Sequence, residues 1–215
     1  DKAYMAKFLG SMYAGQKGKG KEAIKYLQAS VDADILSTNE HGNAIRTLAD
    51  LQVQEKQFEL HYQQISDLAH TNTMGFEVLL RWKHPSKGLL TPSEFLFMAE
   101  ETGLILDIER WILTEVSAQL NEWSSHPQYN NAFIGINLCG VYLSQPNQLN
   151  DLIDLIKINN IEPQRLILEF NESAFTQQPE LALKSLKRLK TFGVKLALDD
   201  YGAGMSSFSF LHSYP

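Results

Sequence analysis

Val194-Lys195-Leu196-Ala197-Leu198-Asp199-Asp200 is a near-continuous apolar run that ends on two carboxylates. Runs that are apolar throughout, rather than alternating, suit strands covered on both faces, as in a parallel sheet. Working back along the chain, the pattern recurs in Leu166 to Phe170, Phe133 to Leu138 and Gly75 to Trp82, with Glu169 and Asn137 near the ends of their runs and Glu77 inside its own. Phe58 to Gln63 alternates apolar and polar and is read as the first strand. Between the strands lie helix signals. Thr91 with Glu94 forms a capping box, Pro92 takes the first helical position and Gly103 closes that helix. Ile108, Trp111, Ile112, Val116, Leu120 and Trp123 then recur at three and four residues, which makes the tryptophans core residues rather than stacking platforms. Further helices are predicted from about Gln148 to Asn159 and from Pro179 to Phe192, the latter stopped by Gly193. Five strands alternating with helices make an α/β fold with a mostly parallel sheet.

Residues 1–50 differ in character. Tyr4, Phe8, Met12 and Tyr13 form one helical stripe and Ile24, Leu27 and Val31 another, separated by a glycine- and lysine-rich turn from Gly15 to Lys21. Leu9, Gly10, Tyr13, Ala23 and Leu27 loosely match a tetratricopeptide repeat; a plain helical hairpin or signalling linker is the alternative. Ala44, Leu48 and Leu51 predict a short helix leading into the next region.

Composition bounds the function. The chain has 215 residues, 44% hydrophobic and 20% charged, enough apolar content for a folded core. A formal charge of -6 argues against nonspecific DNA binding, which needs a cationic face. The single Cys139 excludes an internal disulfide framework and thiolate zinc clusters, and fits a reducing, cytoplasmic setting. No apolar run approaches the roughly 18 residues that span a bilayer, so no membrane segment is predicted here; anchoring of a longer parent elsewhere stays open.

Glu77, Asn137, Glu169, Asp199 and Asp200 are the candidate site. At the carboxyl edge of a parallel barrel such side chains converge on one mouth. Converging carboxylates repel one another and raise their own pKa values unless a cation intervenes. An all-oxygen set selects Mg²⁺ or Mn²⁺ over zinc or copper. Asp199 and Asp200 can serve one cluster only if the strand ends or bulges between them, because neighbours in a regular strand face opposite ways. Tyr201-Gly202-Ala203-Gly204 supplies the glycines for such a turn. A pair of metals could then activate water and stabilise the leaving oxygen in phosphoryl chemistry. Arg81 could offer its guanidinium to a phosphate or a guanine edge. Each residue also has a structural reading: Glu77 paired with Arg81, Asn137 bonded to neighbouring backbone, Glu169 as a helix-facing surface residue, Asp199 and Asp200 as a turn.

From about Leu51 to Pro215 the chain resembles the EAL domain, a cyclic-di-GMP phosphodiesterase with a TIM-like (β/α)8 barrel. The residues that carry the resemblance are Tyr62-Gln63, Glu77-Val78-Leu79 within Gly75 to Pro85, Pro92-Ser93-Glu94-Phe95 with Ala99 to Ile105, Ile136-Asn137-Leu138, Leu168-Glu169 with Glu172-Ser173, and Asp199-Asp200-Tyr201-Gly202. The resemblance implies that Glu77, Asn137, Glu169 and Asp199 hold a first Mg²⁺ or Mn²⁺ and that Asp200 helps bind a second. It implies that Gln63 and Arg81 contact cyclic-di-GMP, that Glu172 steadies a regulatory loop after Asp200, and that the domain forms a homodimer through the barrel. The implied reaction opens the ring to linear pGpG, with Glu77, Asp199 and Asp200 as its catalytic residues. Val78, Gln64, Asn171, Ala203 and Cys139 depart from the family pattern. The family's lysine is expected beyond Pro215. On this reading residues 51–215 are the N-terminal portion of a barrel whose remaining strands lie outside the chain, and the chain alone is expected to be poorly soluble and inactive. The alternatives are a catalytically silent cyclic-di-GMP receptor and a degenerate protein-binding barrel.

Overall fold

The computed structural model describes residues 2–33, 57–68, 73–84, 87–101, 103–175 and 178–200. The chain divides into two compact units: Asp1–Glu59 with Leu80–Trp111, and Leu60–Leu79 with Ile112–Pro215. Strands β1 (Phe58–Ser66) and β2 (Thr73–His84) run through both.

In the first unit, helices α1 (Lys2–Ala14) and α2 (Gly20–Asp32) form a hairpin. The α2 stripe Ile24, Leu27 and Val31 is buried as the periodicity predicts. In the α1 stripe Phe8 is 66% exposed and Met12 42%, while Ala3 and Gly10 off the stripe are buried. A Cβ on Gly10 would stand 2.6 Å from Leu27 Cγ, so the small side of α1 lets the helices approach where its large side could not. Tyr13 stacks on Tyr26 with centroids 5.7 Å apart. The short helix predicted around Ala44 to Leu51 lies outside the described residues.

The rest of the first unit adds a strand that periodicity did not single out. β3 (Gly88–Leu90) pairs antiparallel with β2, Trp82 opposite Leu90 and His84 opposite Gly88. Three residues are too few to carry a periodic signal. The capping box forms: Thr91 N donates to the Glu94 carboxylate at 2.7 Å, which holds that carboxyl below its ordinary range. It caps a 3₁₀ turn, Pro92–Glu94, and at Phe95 the backbone swings to φ -142° before helix α3 (Leu96–Glu101), so the single predicted helix is two pieces. Phe58 centres an aromatic cluster with Trp82, Phe95 and Trp111, each 6.0 Å away. Trp111 lies on α4 (Ile105–Ser124), whose residues Ile108, Ile112, Val116 and Leu120 are buried as expected.

In the second unit, parallel strands β4 (Phe133–Asn137), β5 (Leu166–Asn171) and β6 (Lys195–Asp199) follow β2 in the sheet order β1-β2-β4-β5-β6. Helices α5 (Val141–Ser144), α6 (Pro146–Ile158) and α7 (Pro179–Phe192) fill the connections. Gly193, at φ 110°, ends α7 in a conformation that a Cβ would strain. Register assigns the two faces of the sheet. Ile134 pairs with Leu166, Ile136 with Leu168 and Phe170 with Leu198, and of these Ile134, Ile136, Leu166, Leu168 and Phe170 are at most 1% exposed. Leu152, Ile156, Leu186 and Leu189 of α6 and α7 are also fully buried. Each such side chain removed from water contributes about 1.5–3 kcal/mol. Arg165 fastens the foot of β5, donating to Ala132 O at 3.0 Å, Ser124 Oγ at 3.2 Å and Tyr129 O at 3.3 Å.

Candidate active site

The site follows from strand register. Paired residues in neighbouring parallel strands point to the same side, and residues two apart in one strand do so again. Glu77 pairs with Gly135; two residues on, Asn137 pairs with Glu169; Glu169 pairs with Ala197, and Asn171 with Asp199. Glu77, Gly135, Asn137, Glu169 and Asp199 therefore share the face opposite Ile134, Ile136 and Leu168. The reading of Glu169 as a helix-facing residue is ruled out by that register.

Side-chain contacts agree. Asn137 Nδ2 donates to Glu77 Oε1 at 3.0 Å, across 60 residues of sequence. Glu169 is half-buried, and its carboxyl is pushed up to about 7 by burial first, then by the negative charges of Glu77 and Asp199. Glu169 Oε1 occupies the space above Gly135: a Cβ built on that glycine would overlap it. Gly135 is a site residue that sequence reasoning missed. The available signal was a glycine inside an apolar strand, which marks a close approach.

Asp199 is the last residue of β6, and Asp200 turns out of the strand with φ 51°, its N donating to Asp199 Oδ1 at 2.9 Å. The strand thus ends between the two carboxylates, as their shared use requires. Asn171 Oδ1 accepts from Ser173 Oγ at 2.8 Å and from Ala174 N at 3.1 Å, capping the 3₁₀ turn Glu172–Phe175 that begins with Glu172. The loop expected after Asp200 lies outside the described residues.

Gln63 is exposed on β1. Its neighbour Tyr62 packs edge-on against Trp123 at 5.4 Å, and burial, then Glu115 and Glu122, push the phenol up to about 12. Trp123 also meets Phe76, so Tyr62 and Phe76 share the α4 side and alternation leaves Gln63 and Glu77 on the other. Arg81 belongs to the first unit, where its Nη1 donates to Leu80 O at 2.8 Å.

Among the described residues, no three His, Cys, Asp or Glu side chains stand ready as oriented to hold a metal ion. One Glu77 oxygen accepts from Asn137 and one Asp199 oxygen from Asp200 N. In kind, the donors fit a hard divalent ion: all are oxygens, and the Glu169 carboxyl, raised first by burial, also stands within reach of the charges of Glu77 and Asp199.

Comparison with known proteins decides the family. The profile of the EAL domain matches residues 45–215. The chain belongs to the EAL domain family. It is 32% identical over 203 residues to the bifunctional diguanylate cyclase/cyclic di-GMP phosphodiesterase MucR of Pseudomonas aeruginosa, covering 93% of this chain and 28% of MucR. A cyclic di-GMP phosphodiesterase of the same organism is 32% identical over 161 residues, 75% of this chain and 27% of that protein. The structure of the PaMucR phosphodiesterase in complex with c-di-GMP superposes with a TM-score of 0.71 at 33% identity, covering 77% of this chain and 67% of that one. The chain thus spans about a quarter of the length of the curated relatives it matches. Its fold is the α/β, TIM-like EAL fold, and the described residues contribute six strands, one more than the sequence alone suggested. No helix among the described residues is long and apolar enough to cross a membrane.

Proposed function

We infer that the whole protein hydrolyses cyclic-di-GMP to linear pGpG at the face carrying Glu77, Asn137, Glu169 and Asp199. The observation that carries this reading is the register that gathers four oxygen donors from four strands, with Glu169 raised by burial and then by the charges of Glu77 and Asp199. Membership of the EAL family and likeness to cyclic di-GMP phosphodiesterases support the substrate. Glu77, Asn137, Glu169 and Asp199 would hold a first Mg²⁺ or Mn²⁺, and Asp200 would help hold a second. Bound there, the ions would supply a water of lowered pKa and offset charge on the leaving oxygen.

The chain's own residues orient the exchange. Asn137, by donating a hydrogen bond from its amide to Glu77 Oε1, fixes which carboxylate oxygen of Glu77 remains available. Asp200, turned out of the strand, is free to address a different point from Asp199. Gln63 and Arg81 would hold the dinucleotide, and Glu172, on the turn capped by Asn171, would steady the loop that follows Asp200. Water adds to one phosphorus, its bond to the 3′ oxygen breaks, and that oxygen takes up a proton, leaving a 5′-phosphate and a 3′-hydroxyl. Homodimerisation through the barrel belongs to the same reading.

The test is conversion of cyclic-di-GMP by the whole protein, followed chromatographically with Mg²⁺, with Mn²⁺ and with EDTA. Metal-dependent appearance of pGpG that Asp199→Asn abolishes is the expected result. Tight calorimetric binding of cyclic-di-GMP with no turnover in either metal would instead make the protein a receptor.

A further inference from the structure

We propose that Gly135 is the positioning residue of this centre: its missing side chain is the space that the Glu169 carboxylate fills, and this sets Glu169 level with Glu77. The inference rests on the metal-site reading above but begins from packing. Glu169 pairs along the backbone with Asn137, and Gly135 pairs with Glu77 one row earlier. Yet Glu169 Oε1 does not stand over its own row. It leans back over Gly135, into the volume a Cβ would take, and that Cβ position is 3.9 Å from Glu77 Cα. Asn137 leans the same way, its amide reaching Glu77 Oε1 at 3.0 Å. Two donors of the upper row thus converge on the lower one, and the backbone of Gly135 is the floor that permits it. A Cβ there would overlap Glu169 Oε1, the flexible end of that side chain, so with any larger residue the carboxylate must leave this position.

Strand interiors ordinarily disfavour glycine, because it costs backbone entropy and packs nothing. The stability sacrificed at position 135 is explained if the space is needed by Glu169. The claim separates cleanly from a merely structural role for glycine. If Gly135 serves the carboxylate, Gly135→Ala is harmful only while Glu169 is present. If Gly135 serves the strand, the harm is the same with or without Glu169.

Two measurements on the whole protein test this. In metal-free protein, melting followed by circular dichroism should show Gly135→Ala lowering Tm in the wild-type background but leaving it unchanged or raised in a Glu169→Ala background. For metal, the free Mn²⁺ resonance signal should report binding weakened by about tenfold to a hundredfold in Gly135→Ala. The shorter acid in Gly135→Ala/Glu169→Asp should recover part of that loss. An equal Tm drop in both backgrounds overturns the proposal. So does a Gly135→Ala protein that binds Mn²⁺ as the wild type does. If the wild type itself takes up no Mn²⁺ while the melting dependence on Glu169 persists, the metal-site reading falls and the positioning role of Gly135 stands.

Discussion

The two faces of the sheet formed by β4, β5 and β6 differ by one residue in sequence and sharply in environment. Ile134, Ile136, Leu166, Leu168 and Phe170 are sealed from water, while Asn137 and Asp199 on the opposite face are exposed and Glu169 is half-buried. One face holds the fold together by excluding solvent. The other gathers charge that, at Glu169, works against the fold. Site and scaffold are thus built from the same strands, and damage to one face is expected to spare the other.

The sharpest way to break the comparison is to strike the charged face. Glu77→Gln or Asp199→Asn is expected to cut turnover of cyclic-di-GMP by on the order of 10³-fold, measured as kcat, with melting temperature nearly unchanged. The mirror experiment strikes the apolar face. Leu168→Ala, at a fully buried position, should cost about 2–5 kcal/mol in denaturant unfolding, while kcat per folded molecule is retained. A large kcat loss in Leu168→Ala, or a large Tm loss in Asp199→Asn, would show that the faces are not separable.

A smaller effect is expected at the foot of β5. Arg165→Ala removes the guanidinium donor to the Ala132 carbonyl, while Tyr129 O keeps its bond from Ala132 N, and should cost about 1–3 kcal/mol in the same assay, again sparing kcat. Smallest, and opposite in sign, is Glu169→Gln. Glu169 keeps its proton in the fold up to about 7, where the unfolded chain has already lost it near 4.5. Fewer protons are bound on unfolding, so metal-free stability should decline as pH climbs through that window. Glu169→Gln should flatten the decline, seen as Tm against pH in EDTA, while abolishing metal-induced stabilisation. A wild-type Tm that rises between pH 5 and 7 would contradict the crowding of carboxylates at this face.

Much of the architecture was legible in local sequence. The runs Phe133 to Leu138, Leu166 to Phe170 and Val194 to Leu198 became parallel strands, and Pro179 to Phe192 became a helix ended by Gly193. Local signals failed where two answers satisfy one pattern. The α1 periodicity is compatible with burying either its large or its small side, and only Leu27 of α2 chose the small one. β3 is too short to show a period, and Thr91 with Glu94 capped a 3₁₀ turn because Phe95 breaks the helix behind it.

The candidate site divides in the same way. Residue identities and strand ends were enough to name Glu77, Asn137, Glu169, Asp199 and Asp200, because donor type and periodicity are written in the chain itself. Tertiary structure decided what those residues do to one another: the amide of Asn137 on Glu77, the lean of Glu169 over Gly135, the turn that parts Asp200 from Asp199. The physical reason is that pairing register and close packing join segments 30 to 60 residues apart, and no local propensity encodes how neighbouring strands are staggered.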